Sequence, residues 1–118
     1  MYNLVLGPAP GKPFHHKGIG NGYILQFGTT RVYFSGDTEC VPEMKALLNI
    51  SVAFVAMNPP RTMPTAEAAA CIKEFRPKIV YPYHYSRSSS IPTVLSLSCE
   101  ARPGAELEAG LEFDSGVL

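Results

Sequence analysis

The chain has 118 residues, ten of them basic and ten acidic, for a formal net charge of zero, and 46% are hydrophobic. That length suits one small globular domain. The even charge, with no basic run, gives no electrostatic reason to expect nucleic acid or a membrane surface as a partner. No apolar stretch approaches the roughly 20 residues that cross a bilayer, and Met1-Tyr2-Asn3-Leu4 reads as no signal peptide. Three cysteines, Cys40, Cys71 and Cys99, are odd in number and far apart. They support neither a disulfide framework nor a cysteine zinc knuckle, and a reduced, cytoplasmic setting is expected.

Residues 1–21 are rich in Gly and Pro and read as an irregular surface loop. The glycines at 18, 20 and 22 lack the preceding strand of a dinucleotide loop. His15 and His16 are adjacent. On an extended segment they point to opposite sides, so at most one joins a given site, and both are expected to be loop residues. Two apolar strands follow, about Gly22–Phe27 and Arg31–Ser35. Their short Gly28-Thr29-Thr30 link argues for an antiparallel hairpin. The second strand runs straight into Gly36-Asp37-Thr38, which leaves a carboxylate at a strand end, where α/β proteins place their chemistry.

Val41 to Leu48 reads as a short helix, with Pro42 in its first turn and Asn49 as its stop. Ser51–Met57 and Ile79–Tyr83 are apolar at nearly every position, the pattern of strands buried on both faces. Between them, Ala66–Phe75 reads as a helix with Thr65 as its N-cap and with Ala68, Cys71, Ile72 and Phe75 on one face. A strand–helix–strand unit implies a parallel pair with a right-handed crossover. His84 ends the last strand as Asp37 ends an earlier one. Beyond it, 86–90 is a polar loop, Ile91–Glu100 suits helix or strand, Arg102-Pro103-Gly104 is a turn, and Glu106–Phe113 alternates weakly. The whole of 1–118 is read as a single domain.

A carboxylate and an imidazole on neighbouring strand ends are two parts of a metal site. Taken alone, Asp37 also suits a turn or capping role and His84 a packed histidine. Asn58 suits either a cleft or a loop cap, and Cys40 either a site thiol or an inert small side chain.

The run PGKPFHHKGIGNGYIL, the strand VYFSGDT, the segment AFVAMNPPRTM, the helix TAEAAACIKEFRPK and the ending IVYPYHY occur in that order. Together they resemble the metallo-β-lactamase fold superfamily, in its lactonase-like branch of metal-dependent hydrolases. The resemblance covers about Tyr2 to Tyr85 and leaves 86–118 as a divergent tail. It implies an αββα sandwich that hydrolyses ester, lactone, lactam, thioester or phosphodiester bonds with zinc or manganese. It also implies that Asp37 is a metal-bridging carboxylate and His84 a second-metal ligand. The family's remaining ligands, a His-x-His-x-Asp-His motif and one further histidine, have no counterpart here. The chain therefore looks like the C-terminal half of such a protein: α/β, a mixed sheet with helices on one face.

Two expectations follow. One Asp and one His hold a metal only weakly, so no catalytic residue is assigned and zinc or manganese is the cofactor if there is one. Second, a sheet with helices on one face leaves the other apolar face to be covered, and a second copy of the chain is the simplest cover. Such a homodimer could bring two Asp37 and two His84 to one rim. The first functional reading is a non-catalytic, self-associating module. The alternative is a metal-dependent hydrolase whose site is completed by a dimer mate or a separate subunit.

Overall fold

The computed structural model describes residues 1–85, so the readings made for 86–118 lie outside the described residues. Four strands form one mixed sheet in the order β1 (Tyr23–Phe27), β2 (Thr30–Phe34), β3 (Val52–Ala56) and β4 (Ile79–Tyr83). β1 and β2 pair antiparallel, with Phe27 opposite Thr30, and Gly28 takes φ 58° in the tight turn between them. β2–β3 and β3–β4 pair parallel. The crossovers carry α1 (Pro42–Lys45) and α2 (Thr65–Phe75).

Both helices use local signals, with one correction. α1 has Pro42 in its first turn, is shorter than expected, and is followed by Asn49 in the left-handed region at φ 56°. α2 begins one residue earlier than expected: Thr65 is helical, Pro64 occupies the N-cap, and no side chain caps the first turn. Pro64 has no N–H to satisfy, which suits a boundary position. Ala68, Cys71, Ile72 and Phe75 are all buried, as their spacing requires.

Strand register sorts the sheet into two faces. Ile24, Tyr33, Ala53 and Val80 lie opposite one another in turn, on the face toward the helices. Tyr33, Ala53 and Val55 are buried there with Met44, Ile50, Met63, Ile72 and Phe75, and the Tyr33 and Phe75 rings meet edge to face at 5.9 Å. Tyr23, Phe34, Phe54 and Tyr81 form a row across the other face, and Leu25, Val32, Val52 and Ile79 form the next row. Phe34 stacks on Phe54 with centroids 4.7 Å apart, and Phe54 on Tyr81 at 5.3 Å.

No residue of β4 is buried, which corrects the expectation that β3 and β4 are both covered on two faces. Among the described residues β4 is an edge strand, and its apolar run reflects one face on the helices and one face that no described residue covers. Tyr23, Leu25, Phe27 and Ile79 are 60%, 45%, 66% and 42% exposed, so this second face is apolar and largely open. No helix among the described residues is long and apolar enough to cross a membrane.

A second correction concerns the cysteines. Cys40 and Cys71 form a disulfide, with Cα atoms 5.7 Å apart, joining the segment after β2 to the buried face of α2. Sequence counting missed it because 31 residues separate the two partners, and only the packing of α2 brings them together. Cys40 is therefore not a site thiol, and the reduced setting read from the cysteine count loses its support.

Candidate metal-ligand site

β2 delivers its carboxylate through a short exit anchored by Ser35. Ser35 is buried; its N–H donates to the Phe54 carbonyl at 3.0 Å, and its Oγ accepts from Ala56 N–H at 3.0 Å. Gly36 follows at φ 62°, and a Cβ there would stand 3.1 Å from the Asn21 carbonyl oxygen, so only glycine turns the chain at this point. Thr38 and Glu39 are both buried just beyond. Asp37, between Gly36 and Thr38, keeps 27% of its side chain exposed.

β4 delivers the imidazole. Pairing of Ala56 with Tyr83 sets the strand end beside β3, and His84 takes φ 51° immediately after it. A histidine in the left-handed region is uncommon and is kept where surrounding contacts demand it. Here the demand is visible: His84 Nδ1 lies 2.7 Å from Asp37 Oδ1. Asp37 and His84, singled out from the sequence as strand-end residues, are thus in direct contact across 47 positions of chain. The carboxylate does not serve a purely local capping role.

A third group joins them. His15 Nε2 stands 3.9 Å from Asp37 Oδ2, on the carboxylate oxygen that His84 does not use. His15 is half-buried whereas His16 is exposed, so one of the adjacent pair faces the site and the other faces away. Both residues lie in a loop, as read, and that reading hid the approach of His15 to Asp37. The signal available in the sequence was the alternation itself; what it lacked was the fold-back of residues 1–16. That fold-back rests on buried partners. Tyr2 N–H donates to Thr38 Oγ1 at 3.0 Å, Glu39 accepts from Val5 and Leu6 N–H, and Asn3 N–H donates to the His15 carbonyl at 2.8 Å.

The remaining candidates take structural roles. Asn58 N–H donates to Thr62 Oγ1, and the Asn58 carbonyl accepts from Arg61 and Thr62, which is loop capping. A separate cavity of about 370 Å³ lies between the N-terminal loop and α1, lined among others by Tyr2, Lys17, Tyr33, Met44 and Leu47, and it includes neither Asp37 nor His84. At its rim Lys17 pairs with Glu43 at 2.6 Å, and this bond, followed by hydrogen bonds from Glu43's own backbone and from Tyr2, lowers the Glu43 carboxyl to about 2.

One carboxylate and two imidazoles are donors that first-row divalent metals take, and three protein ligands with an open position is a catalytic zinc set. The chemistry of the donors fits. Their arrangement is not a finished cage: among the described residues no three His, Cys, Asp or Glu side chains stand together as a metal-holding group. His84 Nδ1 is engaged with the carboxylate itself.

Residues 7–84 match the family model of the beta-lactamase superfamily domain. The chain is 31% identical over 73 residues to a UPF0173 metal-dependent hydrolase of Deinococcus radiodurans, covering 60% of this chain and 32% of that protein. It is 35% identical over 71 residues to another from Symbiobacterium thermophilum, covering 54% and 31%. A crystal structure described as that of a candidate metal-dependent hydrolase from Parabacteroides distasonis aligns with TM-score 0.62 and 48% identity, over 65% of this chain and 34% of that one. The chain thus spans about a third of the length of these relatives. With the family model matching about two thirds of its residues, the chain belongs to the beta-lactamase superfamily.

Proposed function

We propose that this chain is a non-catalytic, self-associating half of a beta-lactamase-type hydrolase fold, with Asp37 and His84 as its contribution to a metal site. The observation that carries this reading is the pairing of a short donor set with an open apolar face. Asp37 and His84 meet at the strand ends, yet no complete metal-holding group forms among the described residues. The rows Tyr23-Phe34-Phe54-Tyr81 and Leu25-Val32-Val52-Ile79 leave apolar surface uncovered by any described residue. Neither row contains a charge, so a second copy laid face to face buries no ion, and apolar side chains meet apolar side chains. In its relatives' family the αββα sandwich sets one sheet against another, and this chain supplies material for one of them.

A bound zinc or manganese ion would supply Lewis-acid activation of water and of a carbonyl or phosphoryl oxygen. The chain's own part is to present the Asp37 carboxylate, hold it against His84, and aim both from rigid strand ends. The second reading is a metal-dependent hydrolase of ester, lactone or phosphodiester bonds whose site is completed by a dimer mate or a separate subunit. The names of the relatives favour it. Turnover of p-nitrophenyl acetate and of bis-p-nitrophenyl phosphate by the purified chain with added zinc or manganese separates the two. No turnover above an Asp37→Ala control supports the first; turnover that disappears in Asp37→Ala establishes the second.

A further inference from the structure

We infer that the Cys40–Cys71 disulfide is a thiol-sensitive latch for the N-terminal arm. Oxidised, it holds Thr38, Glu39 and Cys40 in the position that docks residues 2–6. Reduced by a dithiol, it releases that arm while the sheet stays folded. The latch does not depend on any metal at Asp37 and His84.

Three consecutive residues make the dock. Thr38 is 1% exposed, and its Oγ1 accepts the Tyr2 N–H at 3.0 Å. Glu39 is 3% exposed; its N–H donates to the Tyr2 carbonyl at 3.1 Å, and its carboxylate accepts from Val5 and Leu6 N–H. A buried carboxylate must keep its donors, so the arm stays down for as long as Glu39 keeps its place. Cys40, next in line, is tied to α2 twice: through the disulfide to Cys71, and through its N–H to Glu67 Oε1 at 3.1 Å. Among the described residues no other hydrogen bond or covalent bridge joins residues 38–40 to that helix. The arm has a further buried anchor in Asn3, whose Nδ2 donates to the Arg61 carbonyl at 3.0 Å, and this one does not pass through the dock.

The two sulfurs differ in access. Cys71 is 1% exposed on the core face of α2, whereas Cys40 is half-buried. A thiolate arriving from solvent therefore attacks Cys40 Sγ. A bond forms between Cys40 and the reductant, the Cys40–Cys71 bond breaks, and Cys71 leaves as a thiolate and takes a proton. The reductant's second thiolate then attacks its own sulfur in the mixed disulfide, and Cys40 leaves and is protonated in turn. Two electrons and two protons have passed from the dithiol, now a disulfide, to the protein, now with two thiols. Cys71 as a thiol remains a small apolar side chain among Ala68, Ile72 and Phe75, so α2 keeps its packing. The loss falls on the dock, whose remaining tie to α2 is the Glu67 hydrogen bond.

The test is amide hydrogen exchange on the full chain, oxidised and after dithiothreitol without denaturant. Alkylation follows the redox state, and the reduced chain should take two more labels than the oxidised one. The Val5, Leu6 and Glu39 amides should exchange about tenfold faster or more after reduction, through local opening, while Ala53 and Val55 in β3 stay protected and the far-ultraviolet spectrum is kept. Reoxidation should restore the slow rates, and a Cys40→Ser, Cys71→Ser double variant should show the fast rates with and without dithiothreitol. Arm rates that agree within twofold in the two states would make the disulfide a static staple and overturn the latch. So would reduction that requires urea, or loss of β3 protection together with the arm, because the arm then has no opening of its own. If the double variant does not fold, reduction of the parent chain decides alone.

Discussion

His84 Nδ1 lies 2.7 Å from Oδ1 of Asp37, so one hydrogen bond joins the end of β4 to the end of β2 across the intervening β3. The bond is partly wet, with 41% of the His84 side chain exposed, which limits its energy to that of a surface pair, about 1 kcal/mol or less. Asp37→Ala and His84→Asn should each lower the urea midpoint slightly, and together no more than either alone. Asparagine is the fitting replacement for His84 because it tolerates the left-handed backbone that alanine resists. Fully additive losses in the double variant would mean that the two side chains do not act as a pair.

The Cys40–Cys71 disulfide is expected to be the largest single contribution to stability on this list. It closes a loop with a sequence separation of 31, which corresponds to about 3.7 kcal/mol of denatured-state entropy. Unfolding in urea with and without dithiothreitol should show that loss, and a Cys40→Ser, Cys71→Ser double variant should match the reduced protein and be insensitive to reductant. Equal midpoints in both conditions, with free thiols by alkylation in each, would remove the bond from the account.

Much of the fold was legible in the sequence because its signals are local. The hairpin followed from two apolar runs and a glycine turn, and the parallel β3–β4 pair from a strand–helix–strand order. Asp37 and His84 stood out because each ends a strand. What stayed hidden depended on distant packing. Cys71 meets Cys40 only once α2 lies on the sheet, and His15 meets Asp37 only once Asn3, Glu39 and Thr38 fold the first residues back. Burial of β4 was overread, since a continuous apolar run looks the same in a central strand and in an edge strand with an open apolar face.

Tyr33 gives the structure a defined alkaline limit. Burial first, and the neighbouring Tyr83 second, push its hydroxyl up to about 12. The unfolded chain releases that proton near 10, whereas the folded chain holds it until about 12. The contribution is complete below pH 10 and is lost as pH rises from 10 to 12, by about 2 kcal/mol. Denaturation series at pH 8 and pH 11.5 should show a smaller alkaline loss for Tyr33→Phe than for the parent chain. Identical losses would mean that Tyr33 ionises as freely in the folded chain as in the unfolded one.

Phe54 sits between Phe34 and Tyr81 at the middle of the open face. Phe54→Lys places a charge where a second sheet would lie, and it should shift the chain toward monomer while leaving its far-ultraviolet spectrum intact. Lys73→Glu on the exposed side of α2 should leave association unchanged, as expected for a residue remote from that face. Equal effects from the two substitutions would point to general charge rather than to the sheet surface.

The most direct measurement of the central claim is the mass of the purified chain by sedimentation equilibrium at micromolar concentration. Self-association through the open face predicts twice the 12.8 kDa chain mass, falling toward 12.8 kDa in Phe54→Lys. A single 12.8 kDa species for the parent chain across the same concentrations would contradict it.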